Sequence, residues 1–176
     1  MATPTTLPAS FVSGAVLTAA QMNNLRGAFR ILQVVQTVKT DTFATTSTSF
    51  VDVTGLSVTI TPSSVDNKIL LVLDARVSAV VLSKVLRGST DIYIGDAAGS
   101  RTRVTGMPYT YAPNTMQQFS VFYLDSPATT SATTYKYQIR SEGGGNTVVN
   151  RGVTDTDAAN SYPRGASSIT AIEVSA

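Results

Sequence analysis

From Ile31 onward the chain places apolar side chains at every second position, and short runs of Pro, Gly, Asn and Ser interrupt the pattern. Period two marks a strand with one buried face. The candidate strands are Ile31 to Lys39, Phe50 to Ile60, Lys68 to Val81, Val85 to Ile94, Met116 to Leu124, Thr133 to Ser141, Asn146 to Arg151 and Ser167 to Val174. Tyr135, Tyr137 and Ile139 alternate with Lys136, Gln138 and Arg140, which gives one aromatic face and one wet face. Phe50 and, after a break at Gly55, Leu56, Val58 and Ile60 alternate in the same way. ILLVL at 69 to 73 has no polar alternates and reads as a strand buried on both faces. The breakers TPSSVDN, SPATTSAT, EGGGN and NSYPRG have the residues that turns require. Many strands of this length on short connections predict a mainly β protein, an antiparallel β-sandwich of jelly-roll type. No repeat of fixed period is visible, which disfavours a solenoid or a propeller.

The first thirty residues follow a different rule. MATPTTLPAS has little to bury and is expected to be extended, becoming ordered only against a partner. In FVSGAVLTAAQMNNLRGAF, Thr18 can cap a helix, with Gln21 completing a Thr-x-x-Gln capping box and Gly27 near its end. Met22, Leu25 and Phe29 recur at spacings of three and four and form a narrow apolar stripe. About a dozen helical residues are marginal alone, so this helix needs a surface, either the chain's own core or another subunit. Val16, Leu17, Met22, Leu25 and Phe29 are therefore the expected anchoring interface. The chain divides into an N-terminal arm and helix over residues 1 to 35 and a β-sandwich domain over residues 36 to 176.

Composition narrows the partners. Charged residues are 14% of the chain, against roughly 25% in an ordinary globular protein, while Ser and Thr fill roughly a quarter of it. The expected surface is neutral and rich in hydroxyls. A net charge of +2 from scattered residues offers no basic stripe for nucleic acid. The N-terminus lacks the basic and apolar regions of a secretory signal, and no apolar run approaches the ~20 residues of a membrane span. If the protein acts outside a cell, release by lysis inside an assembled particle is the expected route. Tyr93, Tyr109, Tyr111, Phe122 and Tyr123 are more aromatic surface than one sandwich face hides, which points to a homo-oligomer.

The chain has no His and no Cys, so a Ser-His-Asp arrangement and a thiolate nucleophile are both excluded. The nucleophile-elbow, Walker and dinucleotide-binding glycine patterns are missing too. GDAAGSR at 95 to 101 looks like a phosphate loop, but no helix-forming run follows it, and RTRV turns back toward strand-like residues. Its expected role is a turn, with Gly95 and Gly99 supplying backbone freedom and Asp96 bonding nearby amides. Asp155 with Asp157, and Asp91 with Asp96, could offer oxygen to calcium, yet no Asp-x-Asp-x-Asp-Gly loop is present. They read as solvated or turn-capping acids, and no cofactor or metal is expected. Tyr109 and Tyr111 in MPYTYAPN are the candidate contact residues, for a ligand such as a sugar or for a neighbouring protomer.

Several stretches together resemble small structural and appendage proteins of tailed bacteriophages: GAVLTAAQMNNL at 14 to 25, VKTDTFATTSTSFVDVTGLSVTITPSSVDNKILL at 38 to 71, LRGSTDIYIGDAAGSR at 86 to 101, YLDSPATTSATTYKYQIRS at 123 to 141 and NRGVTDTDAANSYPRGASSITAIEVS at 150 to 175. The resemblance spans most of the chain in one order. It implies a virion component without catalytic residues, a β-sandwich that trimerises and is fixed to other tail or capsid proteins by its N-terminal arm. The expected function is thus a non-enzymatic tail fibre or tail appendage that contacts a host surface glycan. The alternatives are a head fibre or capsid decoration protein and, in a different class, a free carbohydrate-binding module.

Overall fold

Among the described residues ten strands form, most of them where the period-two pattern runs: β1 (Ile31–Lys39), β2 (Phe43–Thr45), β3 (Val51–Ile60), β4 (Lys68–Ser78), β5 (Val81–Arg87), β6 (Thr90–Ile92), β7 (Gln117–Asp125), β8 (Thr133–Ser141), β9 (Thr147–Val149) and β10 (Ser167–Val174). The structure, a computed structural model, describes Gly14, Val16, Thr18, Ala19 and residues 30–159 and 161–175. Of the expected helix only its first residues, Thr18 and Ala19, are described; the rest of it, with Met22, Leu25 and Phe29, and the preceding Leu17 lie outside the described residues. β1 is already part of a sheet, so the sandwich takes in residues from Ile31.

All pairings are antiparallel and divide into two sheets. In the first, β4 is central, with β7 along one side. Along its other side β9 and β10 lie end to end, Val148 and Val149 opposite Ser78 and Val77, then Ser168 to Val174 opposite Asp74 to Lys68. Outside them β1 and β2 also lie end to end, paired with β10 and β9. This sheet is therefore four strands wide, with two of its strands interrupted. The second sheet has the order β3-β8-β5-β6. There, residues 104–110 take over from β6 along β5 through bridges of Gly106 to Ser83 and Tyr109 to Val80. Three strands thus leave the sheets and return, over residues 40–42, 93–103 and 150–166.

The inner faces meet in one core. Ile69, Leu71, Leu73 and Val77 of β4 with Ile169 of β10 pack against Leu56, Val58 and Ile60 of β3 and Tyr135, Tyr137 and Ile139 of β8. The two buried phenols have partners: Tyr137 shares a 2.8 Å hydrogen bond with Ser83 Oγ, and Tyr135 donates to Asp125 Oδ2 at 2.7 Å. Arg87 neutralises that buried Asp125 at 2.8 Å. Burial raises both phenols above their usual pKa, and for Tyr135 the adjacent carboxylate adds to it.

Strand expectations at Ile31–Lys39, Thr133–Ser141 and Ser167–Val174 match the observed bounds. Three other expectations need correction. Lys68 to Val81 is not one strand: β4 stops at Ser78, Ala79 at φ +78° turns the chain, and Val81 opens β5 in the other sheet. Val85 to Ile94 is not one strand: β5 ends at Arg87, Gly88 at φ +60° and Ser89 reverse the chain, and β6 returns beside β5. ILLVL is not buried on both faces. Ile69, Leu71 and Leu73 are in the core, whereas Leu70 and Val72 point to the outer side of the sheet and are partly exposed.

Asn150 closes the largest interruption. It is fully buried at φ +64°, a conformation Asn tolerates better than most residues. Its Nδ2 donates to the carbonyls of Lys39 and Asp41 at 2.8 and 2.9 Å, and its Oδ1 accepts from Ser167 Oγ at 2.6 Å. Its backbone N–H donates to Arg76 and its carbonyl accepts from Gly165. Its side chain thus joins the β1–β2 junction to the β9–β10 junction, and its backbone ties both to β4.

The two ends of the sandwich differ. At one, Ser175 N–H donates to the Arg30 carbonyl at 3.0 Å, so the arm leads into the sheet beside the last strand. Buried Glu173 organises this end: Oε1 accepts from Ser63 N–H, Ser63 Oγ and Asn67 Nδ2, and Oε2 from Gln33 Nε2, all within 2.8 Å. The opposite end carries residues 79–80, 107–116, 142–146 and 150–166. β4, 11 residues long, separates the ends by about 35 Å at the usual rise of ~3.3 Å per residue.

Candidate functional site

The loops far from Arg30 and Ser175 hold most of the polar and aromatic groups that could meet a ligand. Thr110 fixes the first of them. Its Oγ1 accepts from Ala79 N–H at 2.8 Å and its own N–H donates to the Ala79 carbonyl, locking 107–116 onto the β4–β5 link, where Ala79 sits at φ +78°. Tyr109, bridged to Val80, also gives its N–H to Gln117 Oε1 at 2.9 Å. With these backbones held, Tyr109 and Tyr111 meet edge to face at 4.4 Å between centroids. Tyr109 is 43% exposed and Tyr111 88%, so Tyr111 stands in solvent with Tyr109 as its support.

Loop 150–166 packs against this tyrosine loop. Thr154 N–H donates to the Pro113 carbonyl at 2.8 Å, and Asn114 Nδ2 to the Ser161 carbonyl at 3.3 Å. The contact needs a glycine: a Cβ on Gly152 would lie 2.8 Å from both Asn114 Cα and the Pro113 carbonyl oxygen. Neither backbone atom can move without shifting its loop. Gly152→Ala should cost about 1–3 kcal/mol, as overpacking does. Limited proteolysis should then cut 107–116 and 150–166 together, well before the strands are lost.

Among the described residues, a larger and a smaller cleft lie at this end. The larger, about 470 Å³, is lined by Asp155, Thr156, Asp157, Tyr162 and Arg164 among others. Asp155 is held there by Arg164 at 2.8 Å and Arg151 at 3.7 Å. The smaller, about 250 Å³, lies between the β4–β5 and β8–β9 connections and includes Ser141, Glu142, Asn146 and Thr147. The larger offers hydroxyl, carboxylate and guanidinium groups with one aromatic ring, and the smaller hydroxyl, amide and carboxylate groups, sets suited to hydrogen-bonding a polyhydroxylated or polar surface.

Of the four acids considered for calcium, Asp91 and Asp155 are engaged with cations. Asp91 pairs with Lys84 at 2.6 Å rather than with Asp96, and Asp155 is bound by two guanidiniums. Among the described residues no group of three or more His, Cys, Asp or Glu is placed to hold a metal. GDAAGSR lies in the departure of residues 93–103 from its strand. Gly99 at φ +61° supplies a turn as expected, while closure comes from Arg103 Nε on the Gly95 carbonyl at 2.7 Å and Gly95 N–H on the Val104 carbonyl, rather than from Asp96. Of the anchoring residues, Val16 is described and is 90% exposed. No helix among the described residues is long and apolar enough to cross a membrane.

Sequence reading missed the cleft of Tyr162 and Arg164. Asp155 and Tyr162 come together only because Asn150 and Gly165 close the neck of their loop. The available signal was the pair of turn phrases, NRG at 150 and YPRG at 162, enclosing a polar run between two strands. With the fold and this loop end described, comparison with protein-family models and with curated proteins finds no match to the chain.

Proposed function

We propose that the protein is a non-enzymatic structural component of a tailed-phage virion, a tail appendage held by its N-terminal arm that projects a trimeric β-sandwich toward the host surface. One observation carries this reading: the arm leads in beside Ser175 at one end of the sandwich, and the exposed Tyr111 and both clefts lie at the other. An appendage needs that polarity, one end for the particle and one for the outside. The resemblance of five stretches to phage appendage proteins supports the same reading.

The strand order supports a jelly roll. With each interrupted strand counted once, the sheets read β7, β4, β9/β10, β1/β2 and β3, β8, β5, β6, and only the β5–β6 hairpin joins neighbours within a sheet. Such double-sheet rolls occur in virion proteins and lectins. The protein would be assembled in the host cytoplasm and act in the released particle, with tail or capsid proteins as partners and a host glycan as its distal contact.

Deleting residues 1–29 should leave a cooperatively unfolding sandwich that no longer enters particles. Loss of the fold in that deletion removes the modular reading. In intact particles Tyr111→Ala, at an exposed position, should change stability by less than about 0.5 kcal/mol while reducing adsorption. Labelling the protein in particle micrographs tests its place: label on the capsid replaces the tail appendage with head decoration. Glycan binding without incorporation into any particle replaces both with a carbohydrate-binding module.

A further inference from the structure

The outer faces of the two sheets have opposite chemistry. The second sheet is laced with charge: Asp52 takes hydrogen bonds from Lys136 and Gln138, Lys84 pairs with Asp91, and Phe50 lies beneath Lys84 and Arg140 at 4.6 and 5.6 Å from its centroid. These are the groups of a wet surface. On the first sheet the register aligns Val34, Ile172, Leu70 and Leu124 in one row across all four strands. The next row is Gln36, Thr170, Val72 and Phe122, with Gln36 Nε2 bonded to Thr170 Oγ1 at 2.9 Å. Phe122 is 68% exposed, Val34 56% and Leu124 51%. Charge returns only beyond these two rows, with Asp74 and Arg76 in the next two, neutralising each other at 2.6 Å, and with Lys68 on the far side of the Leu70 row.

We infer that this outer face of the first sheet is the surface through which copies of the chain associate. Two features select a second copy as the occupant. The first is charge. Copies packed about a symmetry axis bring like groups toward one another, and here the two middle rows of the face carry no charge while the charges flank them, Asp74 and Arg76 paired with each other on one side and Lys68 beyond Leu70 on the other, whereas the second sheet sets Lys84, Lys136 and Arg140 on its two central strands. The second is size. Four strands at ~4.8 Å spacing and eight residues at ~3.3 Å rise give about 500 Å² per copy, hence ~1,000 Å² for two, the lower bound of a specific interface. An apolar core framed by hydroxyl and amide groups is also how such interfaces are built. The surface deepens the trimeric part of the proposed function and depends on that reading only for the number of copies.

Sedimentation of the full-length protein at micromolar concentration tests it. The wild type should sediment as an oligomer. Phe122→Lys with Leu124→Lys, and separately Val34→Lys on the opposite edge of the same face, should sediment as monomers that still unfold cooperatively. Thr59→Lys, on the outer side of the second sheet, should remain oligomeric. A monomeric wild type overturns the interface, and so does an oligomer that survives both sets of lysines. A monomeric wild type whose face variants no longer enter particles also overturns it, because the face then serves a different virion protein. A dimer in place of a trimer removes the threefold arrangement and leaves the interface standing.

Discussion

Asn150→Ala should lower the thermal midpoint by about 10 °C or more, a larger loss than any surface substitution produces. The alanine removes both donors and the acceptor that join Lys39, Asp41 and Ser167. Two backbone carbonyls lose a partner, in a pocket where Asn150 itself has no exposed surface. An unsatisfied buried group costs about 1–3 kcal/mol, and alanine at φ +64° adds up to ~1 kcal/mol of backbone strain. The sum is about 3–5 kcal/mol, and in a domain of this size each kcal/mol moves the midpoint by roughly 2–4 °C. Asn150→Gly separates the contributions, since glycine adopts the left-handed conformation freely but replaces none of the hydrogen bonds. It should recover ~1 kcal/mol at most. Differential scanning calorimetry of the three proteins decides it. A loss under about 1 kcal/mol for Asn150→Ala would show that the split strands hold their ends without this side chain.

Asn150 also marks where sequence reading succeeds and where it stops. Strands with strict alternation are visible because their apolar face has one place to go: Tyr135, Tyr137 and Ile139 are fully buried while Lys136, Gln138 and Arg140 are not. The interruptions are harder. Val149 and Ser167 flank a single line of strand, yet 17 residues separate Asn150 from Ser167 in sequence, and no local pattern says that the chain will resume where it left. The same limit hid the hairpin at Gly88, because Leu86, Ile92 and Ile94 fall on one period-two register across it.

ILLVL was misread for a different reason. A run without polar alternates looks doubly buried, but here the second face belongs to a surface that one chain leaves open. The error and the proposed interface are one observation: Leu70 and Val72 are apolar as though covered, and within a single chain they are not. Tyr109 and Tyr111 stand out in the sequence because aromatic residues in a Pro-flanked loop are conspicuous by type. Their edge-to-face contact and their support by Thr110 are visible only in the fold.

Acid should act on the arm end through Glu173. Burial pushes this carboxyl up, but the hydrogen bonds from Gln33, Asn67 and the Ser63 N–H and hydroxyl outweigh burial and hold it at about 2, below its ordinary 4.5. A carboxylate whose pKa is lower in the folded state adds stability above the unfolded value, and that contribution is lost as pH falls from ~4.5 toward ~2; at ~1.4 kcal/mol per unit it amounts to about 3 kcal/mol. Asp41 and Asp52 are also lowered, the first by Lys39 and the second by Gln138 and Lys136, so the wild type has further acid sensitivity of its own. Glu173→Gln isolates the one group. Its amide nitrogen meets a donor whichever way it is turned, Gln33 Nε2 at one position or Ser63 N–H and Asn67 Nδ2 at the other, and at neutral pH the substitution should cost about 2–3 kcal/mol, the range for losing a charged hydrogen-bond partner. As pH falls toward 2 the wild type loses the same interactions, so the gap between the two proteins should close while the shared effects of Asp41 and Asp52 cancel. Urea unfolding of both at neutral pH and at steps below 4.5 measures the gap directly. A difference that stays constant across that window would mean that Glu173 is not ionised in the fold, and that Ser63, Asn67 and Gln33 are held by a neutral acid instead.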